Sequence, residues 1–248
     1  MRRRRYLVAS AGLAITATGA SITGASATIL PETASERATG ERDDAFVADS
    51  DEFAADSDEF VADSDEFVED PIEFEGEGAT VTDEFALEAG VTIAEAVHEG
   101  ESNFIVELIP VDDGQPRLLV NVIGDFDGAS GTIVEDGTYL LDVDADGPWE
   151  LALLQPDAAE DEAAPLPVEI DGDGPSWDGP YLFDGLATAT GSHEGQGNFI
   201  VEVLPQDGTF SELVFNEIGP FEGETTLDVD GVGYVASTAD GPWTLTIE

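Results

Sequence analysis

The sequence predicts an all-β protein: two tandem, small antiparallel β-sandwich domains of jelly-roll-like type, after a signal peptide and a disordered acidic stalk. Three observations lead to this prediction. Short segments alternate apolar and polar residues and are punctuated by glycine, aspartate and proline. Two long segments of the chain are near-copies of each other. A low-complexity acidic region precedes both copies, and a basic, then weakly apolar stretch opens the chain.

Residues 1–27 have the features of a signal peptide of the twin-arginine type. A basic start is followed by a weakly apolar stretch rich in Ala, Gly and Thr, and an A-x-A ending predicts cleavage after Ala27. Thr, Ser and Gly interrupt this stretch too often for a retained membrane anchor, which needs roughly 20 strongly apolar residues. We therefore expect a secreted or cell-surface protein with no membrane span in the mature chain. The residues that match the twin-arginine pattern are Arg3, Arg4, Tyr6 and Leu7.

The charge balance is extreme and predicts a halophilic protein. The chain has 56 acidic against 7 basic residues and a formal net charge of −49, and all of the basic residues are arginines. Self-repulsion of this kind opposes a compact state in dilute buffer. At 1 M salt the Debye length falls to about 3 Å and most of the repulsion is screened. Such a surface argues against nucleic acid and anionic lipid as partners. The absence of cysteine excludes disulfides and thiolate metal sites.

Residues 28–69 are predicted to form the disordered acidic stalk. A seven-residue unit recurs in it, with the sequences FVADSDE, FAADSDE, FVADSDE and FVED. A coiled coil requires apolar residues at heptad positions a and d, whereas here the apolar residues are adjacent, which favours a solvated stalk extended by its own charge. Short docking motifs centred on the repeated phenylalanines are the alternative. These phenylalanines are Phe46, Phe53, Phe60 and Phe67.

The rest of the chain is an internal duplication. β-sandwich repeat 1 is predicted at residues 70–155 and β-sandwich repeat 2 at residues 167–248, and residues 156–166 form a linker rich in Ala, Pro and acidic residues. Residues 98–128 align without a gap with residues 193–223, and about half of the positions are identical. Because a unit of this size is marginal on core size alone, packing between the two repeats is one expected source of stability.

The run LEAGVTIAEAVHEGESNFIVELIP, with LLVNVIGDFDG and GTYLLDVDADGPWEL after it, resembles the small β-sandwich repeats of secreted haloarchaeal and bacterial proteins. Most of those repeats lack an assigned role. The run is more distantly similar to the bacterial pre-peptidase C-terminal domain, a jelly-roll-like accessory module of secreted enzymes. The resemblance covers both repeats. It implies export and a non-catalytic sandwich, and it transfers no active site to this chain. No cofactor is expected.

The two histidines, His98 and His193, open the near-copies HEGESNF and HEGQGNF. A catalytic triad needs a nucleophile, a base and an orienting acid in one place, and a zinc site normally needs three or four ligands. One histidine per repeat, next to a glutamate, offers neither set. We therefore expect each histidine to be scaffold at the entrance of a strand, and a ligand contact is the alternative.

Four asparagines complete the candidate ligand-binding set. Asn103 and Asn198, just before a strand, are predicted to be turn residues. Asn121 and Asn216 alternate in phase with Leu, Val and Ile, so they are predicted to point inward. A buried amide without a partner costs a few kcal/mol, roughly 2–7, so both are expected to be hydrogen-bonded. A structural network is the favoured interpretation, and a sugar site built from His, Asn and Asn is the alternative.

The segment DVDADG matches the opening of a calcium-binding loop. The glutamate that such a loop needs at its twelfth position is replaced by Leu153, so we expect the aspartates to line the solvent side of a strand. The weak calcium candidates are Asp142, Asp144 and Asp146. Trp149 and Trp243 alternate in phase with leucines, which favours core packing over a role as sugar-stacking platforms.

Together these patterns predict an exported, halophilic, non-catalytic protein that acts as a binding or structural component at the cell surface or outside the cell. Its partner would be a surface protein or a glycan. Two alternatives stay open: a carbohydrate-binding or enzyme-accessory module, and a secreted hydrolase of an unrecognised type. A calcium-stabilised adhesin is a further possibility that rests on the three aspartates.

Overall fold

The computed structural model describes residues 71–248, in which all regular secondary structure is β-strand. The all-β prediction is therefore confirmed for this part of the chain. The expected signal peptide, with its cleavage after Ala27, and the acidic stalk lie outside the described residues. None of the described residues forms a helix of the length and apolarity that crossing a membrane requires.

Repeat 1 is a two-sheet antiparallel sandwich. Its strands are β1 (Ile72–Glu77), β2 (Thr80–Val81), β3 (Phe85–Leu87), β4 (Gly90–His98), β5 (Asn103–Pro110), β6 (Arg117–Ile123), β7 (Phe126–Val134), β8 (Gly137–Asp144) and β9 (Pro148–Leu154). The two sheets have the strand orders β1-β9-β4-β7 and β2-β8-β5-β6, with the short β3 also paired to β8. Apart from β3, this is the strand order of an eight-stranded jelly roll, in which the chain passes back and forth between two sheets.

Repeat 2 has the same strand order, but two of its strands are continuous where the equivalent segments of repeat 1 form separate strands. The strands are β10 (Ala164–Pro165), β11 (Val168–Asp173), β12 (Ser176–His193), β13 (Asn198–Pro205), β14 (Glu212–Ile218), β15 (Phe221–Ala239) and β16 (Pro242–Ile247). The sheet order is β11-β16-β12-β15-β13-β14, and β10 pairs with β12 in parallel. By sequence alignment β12 covers the equivalents of β2 and β4, and β15 covers those of β7 and β8. Buried residues of β13 and β16 share one core cluster, so this single sheet folds over on itself.

The period-two alternation of the sequence places the core. In β8, Leu141 and Val143 are fully buried, whereas Asp142 and Asp144 between and after them are exposed. The same alternation buries one face of most long strands and leaves acidic residues on the other, which is the pattern of a half-buried antiparallel sheet. β4 and β9 depart from it, since each contains four consecutive buried residues, Val91–Ala94 and Leu151–Leu154. Each sandwich has an apolar interior of its own.

Trp149 and Trp243 lie in these interiors, at 2% and 3% exposure. Each indole Nε1–H donates a hydrogen bond of 3.0 Å to a backbone carbonyl, that of Gly78 or that of Gly174. A buried tryptophan needs such an acceptor for its one polar atom. The prediction that both tryptophans pack in the core is confirmed.

A third apolar cluster joins the two repeats, which belong to one compact unit. It combines the outer face of the sheet that contains β4, β7 and β9 with the outer face of the sheet formed by β13 and the second half of β15. The linker also takes part, because Ala158 and Ala163 are buried in the cluster. The remaining buried members are Val91, Ile93, Ala129, Ile133, Ala152, Leu154, Leu204, Val232, Tyr234 and Ala236.

Candidate functional site

His98, the last residue of β4, is buried with a side-chain exposure of 0%. Its ring stacks on Phe104 of β5, with centroids 4.5 Å apart and an interplanar angle of 9°. Nδ1 lies 2.9 Å from the carbonyl oxygen of Gly124. Because a carbonyl oxygen can only accept, this contact places a proton on Nδ1. The histidine therefore connects the end of β4 to the turn after β6.

The other ring nitrogen of His98 faces a carboxylate. Nε2 lies 3.6 Å from Oδ1 of Asp146, which follows β8. Asp146 also accepts the backbone N–H groups of Glu101 and Ser102, at 3.2 and 3.1 Å. The amide of Ser102, that of Glu101 and the nearby histidine hold the pKa of Asp146 below its usual range. The carboxylate thus fixes the HEGES loop over the imidazole ring.

Repeat 2 reproduces this geometry. The ring of His193 stacks on Phe199, with centroids 5.0 Å apart and an interplanar angle of 8°. Its Nδ1 lies 2.9 Å from the carbonyl oxygen of Gly219, and its Nε2 lies 3.2 Å from Oδ1 of Asp240. We call each set of histidine, phenylalanine, glycine carbonyl and aspartate a histidine cluster.

Asp240 holds its loop in the same way as Asp146. One carboxylate oxygen accepts the amides of Gln196 and Gly197, at 3.0 and 2.7 Å. Partial desolvation acts to raise the pKa of Asp240, but the two amides and the neighbouring His193 outweigh it, so the pKa is lowered. Sequence differences in the loop, EGES against EGQG, leave the two equivalent amide donors in place because these donors are backbone groups.

The chemistry of the ring follows from its tautomer. With the proton on Nδ1, a neutral imidazole presents a lone pair at Nε2, and in both repeats this atom has no hydrogen-bond partner among residues 71–248. A protonated imidazole instead presents an N–H to the carboxylate. Either state is enclosed by protein, so the cluster binds its own loop and offers no open face to a substrate.

The expectation that Asn121 and Asn216 point inward is wrong. Both are exposed. β6, which carries Asn121, contains a β-bulge at Leu119, and β14, which carries Asn216, contains one at Val214. At each bulge the pairing with β5 or β13 skips one residue. A bulge adds one residue to one strand and so reverses the inward–outward phase after it. Residues after the bulge therefore lie on the face opposite to the one that simple alternation predicts.

Asn103 and Asn198 are the first residues of β5 and β13, and they do not lie in the preceding turns as expected. Each pairs with an isoleucine, Ile123 or Ile218, at the end of its ladder, and both asparagines are exposed. The structure therefore does not assemble a His–Asn–Asn site, since the histidines face the interior and the four asparagines face solvent.

The three aspartates of DVDADG lie in different surroundings and do not form a common site. Asp142 and Asp144 lie on the exposed face of β8, as expected for the solvent side of a strand. Asp146 directs its oxygens at backbone amides, which are donors and do not favour a cation. Within residues 71–248 no three His, Asp or Glu side chains converge in the way that a metal site requires.

Sequence reasoning did not identify the partners of the histidines. By sequence Asp146 is a weak calcium candidate, and neither Asp240 nor the glycine carbonyls stand out as partners of the histidines. The signal was present, because ADGPW and the IG dipeptide occur in both copies at equivalent positions. Residues that two diverged copies retain on different strands are candidates for a shared contact.

No family model matches the chain. No curated protein matches it either. Among solved structures, a chain of Sulfolobus Turreted Icosahedral Virus is similar with a TM-score of 0.23 and 10% identity, over 82% of this chain and 98% of that chain. The oxalate decarboxylase of Lactobacillus farciminis, in a formate complex, is similar with a TM-score of 0.18 and 11% identity, over 72% of this chain and 83% of that chain. Likenesses this low carry no argument about function.

Proposed function

We propose that this is an exported, salt-adapted protein that acts without catalysis, as a binding or structural component of the cell surface or the extracellular space. One observation carries the proposal. Histidine is the side chain most often used for acid–base catalysis, and both histidines of this chain are enclosed in loop-holding clusters with 0% side-chain exposure. A duplicated, acidic scaffold of this kind suits recognition or a structural role better than turnover.

The proposal of export rests on the first 27 residues. If the twin-arginine pattern directs export, replacing Arg3 and Arg4 by lysine will retain the protein in the cytoplasm, while replacement of Arg2 and Arg5 by lysine will not. Cell fractionation followed by immunoblotting measures this directly. Equal export of both variants would contradict the proposed route.

Binding can be tested with the full chain and envelope fractions of halophilic cells in molar KCl. The proposal predicts saturable binding that is lost when the chain is first unfolded by dialysis into dilute buffer. Turnover of ester, peptide or glycoside substrates in the same salt would contradict it and favour a secreted hydrolase.

Glycan binding is a second candidate because exposed amides lie beside apolar side chains on one sheet face. Asn103 pairs with Ile123, and Asn121 pairs with Ile105, on the outer face of repeat 1. If this face binds glycans, an Asn121→Ala and Asn216→Ala double variant will lose affinity by calorimetry. A Thr190→Ala variant, in the second half of β12 and away from this face, where Thr190 is also exposed, will retain it.

A further inference from the structure

In repeat 2 the linker covers one edge of the sheet. Its strand β10 pairs in parallel with β12, at Tyr181 and Leu182. Ala163, just before β10, is buried in the third apolar cluster, and Leu182 packs against the same cluster. Covering an edge in this way protects it from pairing with other strands. The linker is therefore part of the fold of repeat 2, and it leads directly into β11.

The equivalent edge of repeat 1 is open within residues 71–248. It belongs to β3, where Ala86 pairs with Thr138 of β8. In repeat 2, Leu182 pairs in the same way with Val232, which aligns with Thr138. Among the described strands β3 pairs with β8 alone. Its other edge therefore offers unpaired backbone groups to an added strand.

The outer face of the sheet beside this edge is apolar but only half covered. Ile109 of β5 and Leu140 of β8 pair with each other, and both are half-buried. The equivalent pair in repeat 2 is Leu204 and Tyr234, at 0% and 1% exposure, in the cluster that repeat 1 and the linker complete. Because burial of apolar surface is favourable, the face of repeat 1 favours a further covering segment.

The chain that precedes repeat 1 has a segment at the matching place. Pro71 aligns with Pro167, directly before the first strand of each repeat. This alignment places Phe67 at the position of Ala163, and residues 68–69 at the positions of β10. Equal lengths of chain thus bring both segments to the same edge. The other three phenylalanines of the stalk lie one or more seven-residue units further from β1.

Side-chain sizes in this segment and on β3 are also complementary. In repeat 2 the small Ala163 of the linker accompanies the large Leu182 in one cluster. In repeat 1 the sizes are exchanged, with Phe67 in the segment and the exposed Ala86 on β3. Packed interiors tolerate best those changes that conserve total volume. An exchange of a small and a large residue between two positions is therefore the change expected of residues in contact.

We propose that residues 67–70 dock on repeat 1 of the same chain as a short strand parallel to β3, with the ring of Phe67 over Ala86 and Leu140. Backbone hydrogen bonds to the open edge and burial of the ring stabilise the docked segment. Position selects this segment, because the earlier units of the stalk lie too far from β1 along the chain. Molar salt screens the repulsion between its carboxylates and those of repeat 1. The proposal does not depend on which surface partner or glycan the protein binds.

Hydrogen–deuterium exchange of the full chain in molar KCl, followed by mass spectrometry, tests the docking. The amides of residues 67–70 will exchange slowly in wild type, and Phe67→Ser will speed this exchange about tenfold or more because the buried ring is lost. Phe53→Ser is the matched control, since Phe53 begins an equivalent unit further from β1, and it will leave the exchange of residues 67–70 unchanged. Circular dichroism will show that each variant is folded. If residues 67–70 of wild type exchange as fast as the earlier units, or if both variants act equally, the proposal is overturned.

Exchanging the two side-chain sizes tests the contact between Phe67 and Ala86. Ala86→Leu will occupy the space of the ring and speed the exchange of residues 67–70 about tenfold. Adding Phe67→Ala to the same chain recreates the pair found in repeat 2 and will slow the exchange again. A double variant that exchanges as fast as Ala86→Leu alone overturns the placement of the ring. Protection that rises with protein concentration would show that a second copy supplies the segment, and it overturns docking within one chain.

Discussion

At the scale of single residues, each histidine is held by three kinds of contact at once. The ring of His98 stacks on Phe104, donates from Nδ1 to the Gly124 carbonyl and faces Asp146 with Nε2. Only the second is a conventional hydrogen bond, and the third changes character with the protonation state of the ring. Asp146 acts mainly by accepting hydrogen bonds from two backbone amides of the loop. A side chain that is exposed to solvent can therefore still order a segment of backbone.

Replacing His98 by alanine is expected to lower the free energy of unfolding by about 2–4 kcal/mol, since it removes a buried ring and leaves a carbonyl without its donor. Glu99→Ala, at the exposed neighbouring position, is the control and should change it by less than about 0.5 kcal/mol. Urea unfolding in molar KCl measures both values. Equal stability of the two variants would show that the cluster is not structural.

The lowered pKa values of Asp146 and Asp240 predict a dependence of stability on acid. A carboxyl group whose pKa is lowered by folding stabilises the protein above the ordinary aspartate pKa, and this stability is lost as the pH falls through the lowered value. The Asp146→Asn and Asp240→Asn double variant should therefore lose less stability than wild type on acidification. Unfolding measured at a series of acidic pH values in molar salt tests this, with Asp142→Asn and Asp144→Asn, both exposed on β8, as the charge-matched control.

At the scale of elements, β4 shows how the contact between repeats alters a strand. Residues Val91 to Ala94 are buried in an unbroken run, because one face contacts the core of repeat 1 and the other contacts repeat 2. Even Thr92 is buried, and its Oγ1 accepts a hydrogen bond of 3.2 Å from Gln155. The aligned part of β12 returns to alternation, with Leu186 exposed and Ala187 buried.

Glu95 at the end of this run accepts a 2.8 Å hydrogen bond from the indole of Trp177 in repeat 2. Burial and the nearby Asp127 raise the pKa of Glu95, although the indole acts in the opposite direction. A raised pKa means that this group contributes stability at low pH, and that the contribution is lost as the pH rises through the raised value. Glu95→Gln keeps an acceptor for Trp177 without the charge, so its stability should decline less between acidic and neutral pH. Glu99→Gln is the charge-matched control, and thermal melts over that range provide the measurement.

The general fold was predictable because alternation is a local property. Alternation along β8 predicts that Leu141 and Val143 face the core and that Asp142 faces solvent. The bulge at Leu119 was not predictable, because nothing in RLLVNVI marks the extra residue. Since the extra residue reverses the alternation after it, the predicted orientation of Asn121 was the opposite of the actual one. The contact of His98 with Asp146 joins segments far apart in the chain. The sequence therefore indicates this contact only through the presence of both residues at equivalent positions in the second copy.

At the scale of the whole molecule, the two repeats are joined through different faces. Repeat 1 contributes the face that carries Ile93, and repeat 2 contributes the face that carries Tyr234. The position equivalent to Ile93 in repeat 2 is Thr188, and the position equivalent to Ala236 in repeat 1 is Asp142. At these two positions the side chain is apolar in the repeat where the face is covered and polar in the other repeat.

This difference predicts unequal effects of reciprocal substitutions. Ile93→Thr should lower the free energy of unfolding by about 2 kcal/mol, because it places a hydroxyl and a smaller side chain in the contact between repeats. Thr188→Ile, at a half-buried position of the outer face, should change it by less than about 0.5 kcal/mol. Chemical denaturation of both variants and wild type measures these free energies. Equal effects would mean that the contact between the repeats contributes little to stability.

Contact between unlike faces also makes the association of the repeats directional, because the two contacting faces are different. Symmetric pairing of like faces would have ended growth at two units. Here, a third unit that carries the apolar residues of both contacting faces, among them Ile at the position of Ile93 and Ala at the position of Asp142, would present a matching face to each of the existing two. The same gene duplication that made this protein is therefore able to lengthen it, and the side chains of two small patches decide whether a longer protein folds as one column.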